Sequence, residues 1–361
     1  MPRVPRDARW SCCSSGFCCT LYVLGPVEPD IIEGLRARKI EQHWPPAAEA
    51  PWFETRPGPN GPAAFLSKRN GACVFLQEDR RCAVHARFGA EAKPGFCREF
   101  PFQVVHDPSG PVVIARPDCA GFHQSSVDGE LVKQQCQAVL NLPRAYPVKK
   151  WAPSSVEITP ALSMPLADWM ALEPSLLDAL FAMTDEPATL VAHLRSTIEA
   201  RLGQGPSTAE PARAVRAARS VTYALVMVMN DVVKAGGAPD PSEAAFAQET
   251  LDVLKQALDT LERPLSPLTA DARTHLNLLL RSQLLGKQFA PHGSVAAGVG
   301  LFLLNTWIST AVATPGADGQ VNAAALASVL ARLVRFTLNQ SIHHILTRAR
   351  PALVDLYLHA G

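Results

Sequence analysis

Beyond residue 145 the 361-residue chain contains no cysteine; all nine lie before it. Charge of one sign is also missing, since 34 Lys and Arg face 33 Asp and Glu, a net charge of +1. A nucleic-acid reader shows a basic excess or stripe, so no nucleic-acid partner is expected. No apolar h-region follows Met1, and the opening MPRVPRDARW does not have the form of a secretory signal. The expected setting is cytoplasmic and reducing, where stable disulfides are rare. Long apolar runs are scarce. The most apolar, Val295 to Ala313, carries Asn305, Thr306, Ser309 and Thr310 and barely reaches the length of a membrane span. A buried core helix is expected there, as at the shorter Ser220 to Val233, and no membrane partner. Strand–helix alternation and internal repeats are absent, which excludes α/β and solenoid architectures.

What is present is ordinary for a folded protein: 47% apolar and 19% charged residues. The 31 prolines sit mostly between candidate helices and punctuate a segmented helical chain. Composition changes near residue 145, which divides the chain into an irregular cysteine-rich region, 1–145, and an α-helical bundle, 146–361. The expected fold class is mainly α, with a short β-hairpin in the first region. That hairpin is predicted from two β-prone runs, Phe100 to Val105 and Pro111 to Ala115, around the turn sequence Asp107 to Gly110. It would bring Cys97 and Cys119 to one end. Pro29 to Gln42 reads as one amphipathic helix, and residues 44–62, rich in Pro and Gly, as a long surface loop. In the second region helices are predicted near 165–183, 187–203, 209–234, 270–286 and 292–313. Two more start at Asp240-Pro241-Ser242-Glu243, with Leu251, Leu254, Leu258 and Leu261 on one face, and around Leu326, Leu330, Leu333 and Phe336.

Seven cysteines make a pattern that disulfides do not readily explain: Cys12, the adjacent pair Cys18-Cys19, Cys73, Cys82, Cys97 and Cys119. A metal gathers several sulfurs at one point, whereas a disulfide joins two. A cluster of four irons and four sulfides takes four thiolates, and a structural zinc takes four Cys or His ligands. The seven are the candidate metal ligands, more than one four-ligand site needs. His85 and His123 follow Cys82 and Cys119 at short spacing and are the candidates to complete a second site, or else ordinary surface histidines. Cys136 reads as a buried apolar residue on a helix; Cys13 is open. Lys93, Arg98 and Glu99 flank Cys97. Arg98 is expected to offset thiolate charge.

The flanking residues add to the spacing. Residues 10–19 read WSCCSSGFCC, 71–85 read GACVFLQEDRRCAVH, and 96–101 read FCREFP. Over residues 10 to 123 these blocks resemble the YkgJ-type cysteine-cluster family of zinc- or iron-chelating proteins. Ser15 stands where that family has a cysteine, and Cys13 could substitute. A narrower resemblance, through LQEDRRC at 76–82 and FGAEAK at 88–93, is to the flagellin lysine N-methylases. It implies an iron–sulfur cluster or bound Zn or Fe, S-adenosylmethionine as methyl donor, and a lysine-bearing protein substrate, flagellin or another. No G-x-G-x-x-G follows a strand and no C-x3-C-x2-C occurs, so no methyl-donor pocket or catalytic residue is assigned. Gly298-Val299-Gly300 lies in an apolar helix and reads as close packing. His343-His344 point about 100° apart on a helix and cannot easily share one metal. Three classes of function stay open: a protein-lysine methyltransferase, a non-catalytic zinc- or iron-binding protein, and an iron–sulfur redox protein.

Overall fold

Leucine recurring at three- and four-residue steps gives each helix of the second half an apolar stripe, and burying these stripes together builds the larger core. In the computed structural model the protein is described at residues 2–20, 22–49, 51–58, 61–142, 144, 147–205, 207–235, 241–338 and 340–360. It is mainly α, about 56% helical, with small sheets. The long helices are Leu166–Phe181, Pro187–Arg201, Pro211–Lys234, Pro241–Thr260, Ala270–Leu285, Val295–Val312 and Ala323–Thr337, followed by Gln340–Arg348 and Arg350–His359. Asp240, the expected cap of one of them, lies outside the described residues. Leu251, Leu254 and Leu261 are buried as the spacing requires, and so are Leu326, Leu330, Leu333 and Phe336.

Val295–Val312 is, among the described residues, the one helix long and apolar enough to cross a membrane, and 78% of it is buried at the centre of this core. Ser294 caps it, accepting from the Ala297 N–H at 3.1 Å. Gly300 lets helix Arg350–His359 approach so closely that a Cβ there would stand 1.9 Å from the Leu353 carbonyl oxygen. The glycines of this segment therefore serve helix packing.

The predicted hairpin is present as Phe102–Asp107 paired with Gly110–Ala115, with Asp107 opposite Gly110. Lys149–Lys150 adds a short parallel strand beside it. Val113 and Ala115 face the larger core, while Val112 and Ile114 meet Leu285 in a small separate cluster. Both faces are covered, so the strand carries no polar alternation.

Residues 24–92 supply a second, smaller core around Leu35, Ile40, Trp52, Phe75 and Val84. Here two expectations fail. The single helix from Pro29 is two, Pro29–Ala37 and Ile40–His43, because Lys39 takes a left-handed φ of 51°. The loop at 44–62 contains a strand, Phe53–Gly58, that pairs with Gly61–Leu66. Pro57 lies opposite Pro62 in that ribbon; a two-stranded ribbon has free edges on which a missing N–H is harmless. A further hairpin, Ser155–Thr159 with Leu162–Pro165, stands in the half whose sequence predicts helices throughout.

Two buried polar clusters tie the hairpin to the helices. In the first, Lys287 is fully buried and bonds the carboxylate of Glu173, with that of Asp107 at 3.4 Å; Arg3 reaches the same two carboxylates. In the second, His123 Nε2 donates to the Pro117 carbonyl at 2.6 Å, which leaves its Nδ1 to accept from His275 Nε2 at 2.8 Å. Both rings are thus neutral. Burial depresses the pKa of His123 to about 4, and that of His275 lies well below the ordinary range for the same reason and because His123 faces it.

Replacing Lys287 with Met leaves two buried carboxylates with Arg3 alone. The expected cost is about 3–5 kcal/mol, measurable by urea unfolding at pH 7. The histidine pair sets a pH dependence: an unfolded histidine binds a proton near pH 6.5, whereas folded His123 refuses it until about pH 4 and burial holds His275 neutral well below pH 6.5. Stability is therefore whole above pH 6.5 and falls as the pH drops toward 4, by up to ~1.4 kcal/mol per pH unit for each group. A lower urea midpoint at pH 5 than at pH 7, with a shallower slope in a His123→Gln/His275→Gln variant, is the expected result.

Candidate functional site

Three loops meet around an open cavity of about 1230 Å³ whose wall includes Cys12, Cys13, Cys18, Cys19, Cys73, Cys82, Cys97 and Cys119. The first loop turns at Gly16, whose φ of +72° suits glycine, and enters the short helix Phe17–Thr20, which carries Cys18 and Cys19. The second begins at the strand Ala72–Cys73, paired with Lys68–Arg69. It doubles back through Gln77 and Arg81, whose backbones bond at 2.9 Å, and so places Cys82 at the start of helix Ala83–Phe88. The third is the helix Gly95–Glu99, which carries Cys97; its first N–H is held by the Glu28 carboxylate at 3.0 Å. Arg80 joins the first two loops by donating to the Ser15 carbonyl at 2.9 Å.

The sulfurs of Cys18 and Cys19 are 3.8 Å apart. Either thiol can donate in this contact; with Cys19 as the donor it lowers the Cys18 pKa below the thiol range, while burial opposes it and the Lys93 ammonium assists. The Cys19 proton is correspondingly hard to remove. Burial raises Cys73 to about 12 and holds Cys97 well above its ordinary value; Cys18 and Cys82 push both further up by charge repulsion. Cys18, Cys19, Cys73, Cys82 and Cys97 thus form one electrostatically connected set. Four of them, Cys19, Cys73, Cys82 and Cys97, pack on the smaller core.

The expected metal centre is not borne out. Among the described residues no group of three or more His, Cys, Asp or Glu side chains could hold a metal ion. No cysteines stand at disulfide distance, and all nine are free. A tetrahedral zinc needs four ligands at roughly 2.0–2.3 Å, and here the loops spread the thiols along a cavity wall. Cys119 belongs to the larger core, beside Trp10 and Phe102, and Cys12 is exposed. Zinc, iron–sulfur and methyltransferase chemistry, as read from the cysteine blocks, therefore find no support in this arrangement. The two candidate histidines separate: His85 is exposed on the rim, and His123 is buried against His275. His343 and His344 are exposed. Cys136 is buried, as expected, and its S–H donates to the Val132 carbonyl at 3.1 Å. Arg98 pairs with Glu91 at 2.6 Å and Glu99 with Arg144 at 3.1 Å, so neither serves the thiols directly.

Sequence reasoning passed over a polar cluster near the cavity mouth. Arg116 grips the buried Asp118 at 2.6 Å, Tyr22 donates to the same carboxylate, and Arg335 stacks 3.5 Å from the Tyr22 ring. Burial alone would raise the Asp118 pKa, but Arg116 and Tyr22 hold it below the usual carboxylate range. Only the adjacency of Asp118 to Cys119 hinted at it, and Arg335 comes from the other end of the chain.

No family model, curated protein or solved structure matches the chain. The cysteine-block resemblance therefore rests on its short motifs alone.

Because the Cys19 thiol is the main support of the Cys18 thiolate, Cys19→Ala should move the pH profile of Cys18 alkylation upward. Iodoacetamide labelling read by peptide mass spectrometry checks this; an unchanged profile would show that Cys19 gives no such support.

Proposed function

We propose that the protein works through thiol chemistry in this cavity, with Cys18 as the nucleophile for small disulfides. The observation that carries the reading is the contact of two thiols, 3.8 Å apart, in the wall of an open cavity large enough for an organic ligand. Thiolate is the reactive form of cysteine, and a neighbouring thiol donor and ammonium favour it at Cys18. In the reaction the Cys18 thiolate attacks one sulfur of an external disulfide R–S–S–R. A Cys18–S–S–R bond forms, the original S–S bond breaks, and R–S⁻ leaves with the electron pair. The product is the mixed disulfide, which a second external thiol reverses.

The test is the rate at which glutathione disulfide modifies each cysteine of the full chain at pH 7, together with the iron, zinc and sulfide content of the freshly purified protein. Preferential, reversible modification of Cys18 on metal-free protein is the expected result. Uniform slow labelling would overturn the reading. So would stoichiometric metal with cysteines that react only after it is stripped.

A further inference from the structure

The cavity wall is far more basic than the chain as a whole. It includes seven Lys and Arg side chains and only two carboxylates, Glu91 and Glu99, whereas the entire protein carries +1. Ion pairs account for four of the arginines. Arg98 and Arg144 are held by those two glutamates, Arg81 by Asp79 and Arg116 by Asp118. Arg80, Lys93 and Lys149 line the cavity with no carboxylate partner among the described residues. Lys93 is the central one, half-buried and close enough to act electrostatically on Cys18, Cys97 and His85.

We infer that the cavity selects anionic ligands, so that its reaction partners are small disulfides bearing carboxylate or similar negative groups. This rests on the thiol reading above and adds to it the class of substrate. Cations focused in a concave, partly desolvated wall raise the local concentration of an anion and its rate of encounter, by about 10-fold or more at low salt. An arginine already gripped by a carboxylate adds a fixed donor but little net field. The three unmatched cations supply the attraction, and Lys93, the one that acts on Cys18, brings an anionic disulfide toward the sulfur that attacks it.

Three probes separate the possibilities: dithiobis(nitrobenzoate), an anion; dithiodipyridine, neutral; and cystamine, a cation. The second-order rate of mixed-disulfide formation at Cys18 is measured for each on the full-length protein and divided by the rate of the same probe with free N-acetylcysteine. The expected order is anion, neutral, cation, with the anion favoured over the cation by about 10-fold or more in dilute buffer and the preference shrinking in strong salt. Lys93→Gln should lower the anion-to-neutral ratio several-fold, and Lys93→Arg should restore it. The ratio cancels any change in the ionisation of Cys18 itself. Equal normalised rates for the three probes, or a ratio insensitive to both Lys93 variants, would overturn the charge selection and leave the thiol reading standing. Should none of the probes reach Cys18 faster than the free thiol, the thiol reading itself falls.

Discussion

Lys287 has no route to water, and its position determines how the two halves of the chain meet. It sits just past the end of helix Ala270–Leu285, and its ammonium bonds Glu173 of helix Leu166–Phe181 and faces Asp107 at the hairpin tip. Arg3 closes the set from the N-terminus. Two cations against two carboxylates make the cluster neutral, which is the condition under which buried charges are tolerated. Each member comes from a different element, so the cluster forms only when hairpin, helices and N-terminal segment are in register. The histidine pair repeats the device a short way along the same helix, joining Ala120–Gln124 to Ala270–Leu285. Apolar burial supplies most of the cohesion of such a core; these polar contacts specify which surfaces meet.

The cavity follows from that arrangement. The larger core takes residues from Ala8 to Ala360, including the hairpin and helix Val132–Leu140, while the smaller core is confined to residues 24–92. The cysteine loops run where the two cores adjoin. Their backbones are held by side-chain bonds between segments distant in sequence, such as the Glu28 clamp on Gly95 and the Arg80 link to Ser15. Small residues and left-handed turns in WSCCSSGFCC let the chain bend sharply, at Ser14 and again at Gly16. The wall is thereby supplied with thiols from segments that contribute few residues to either core.

The sequence discloses most where a periodic apolar stripe repeats over several turns. The Leu326, Leu330, Leu333 and Phe336 pattern could be satisfied only by a helix with one buried face. The 102–115 hairpin was equally plain, since a turn-forming tetrapeptide separated two β-prone runs. Residues 53–66 were opaque because proline and glycine dominate them and strand pairing is a long-range property of the partner. The break at Lys39 was hidden because a left-handed lysine has no sequence signature. The candidate site was half legible: spacing and flanking residues brought five of the seven cysteines to one connected set. It could not show that the loops would spread those sulfurs along a wall, because the distance between loops is fixed by cores that lie elsewhere in the chain.

Electrostatics sets the order in which the buried thiols of the wall ionise. Each thiolate in a partly desolvated site raises the cost of the next, and this repulsion is recorded at Cys19, Cys73 and Cys97. Among the buried thiols the first ionisation goes to Cys18, which has Cys19 as a thiol donor and the Lys93 ammonium assisting. Once it is charged, burial and repulsion keep Cys19, Cys73 and Cys97 protonated. They then act as weak S–H donors and soft apolar surface around one nucleophile. Removing a neighbouring thiol would accordingly change which sulfur ionises, since the Cys19 contact outweighs the Lys93 ammonium at Cys18. The same cation that stabilises the thiolate also draws in an anionic partner, so reactivity and selection share one residue.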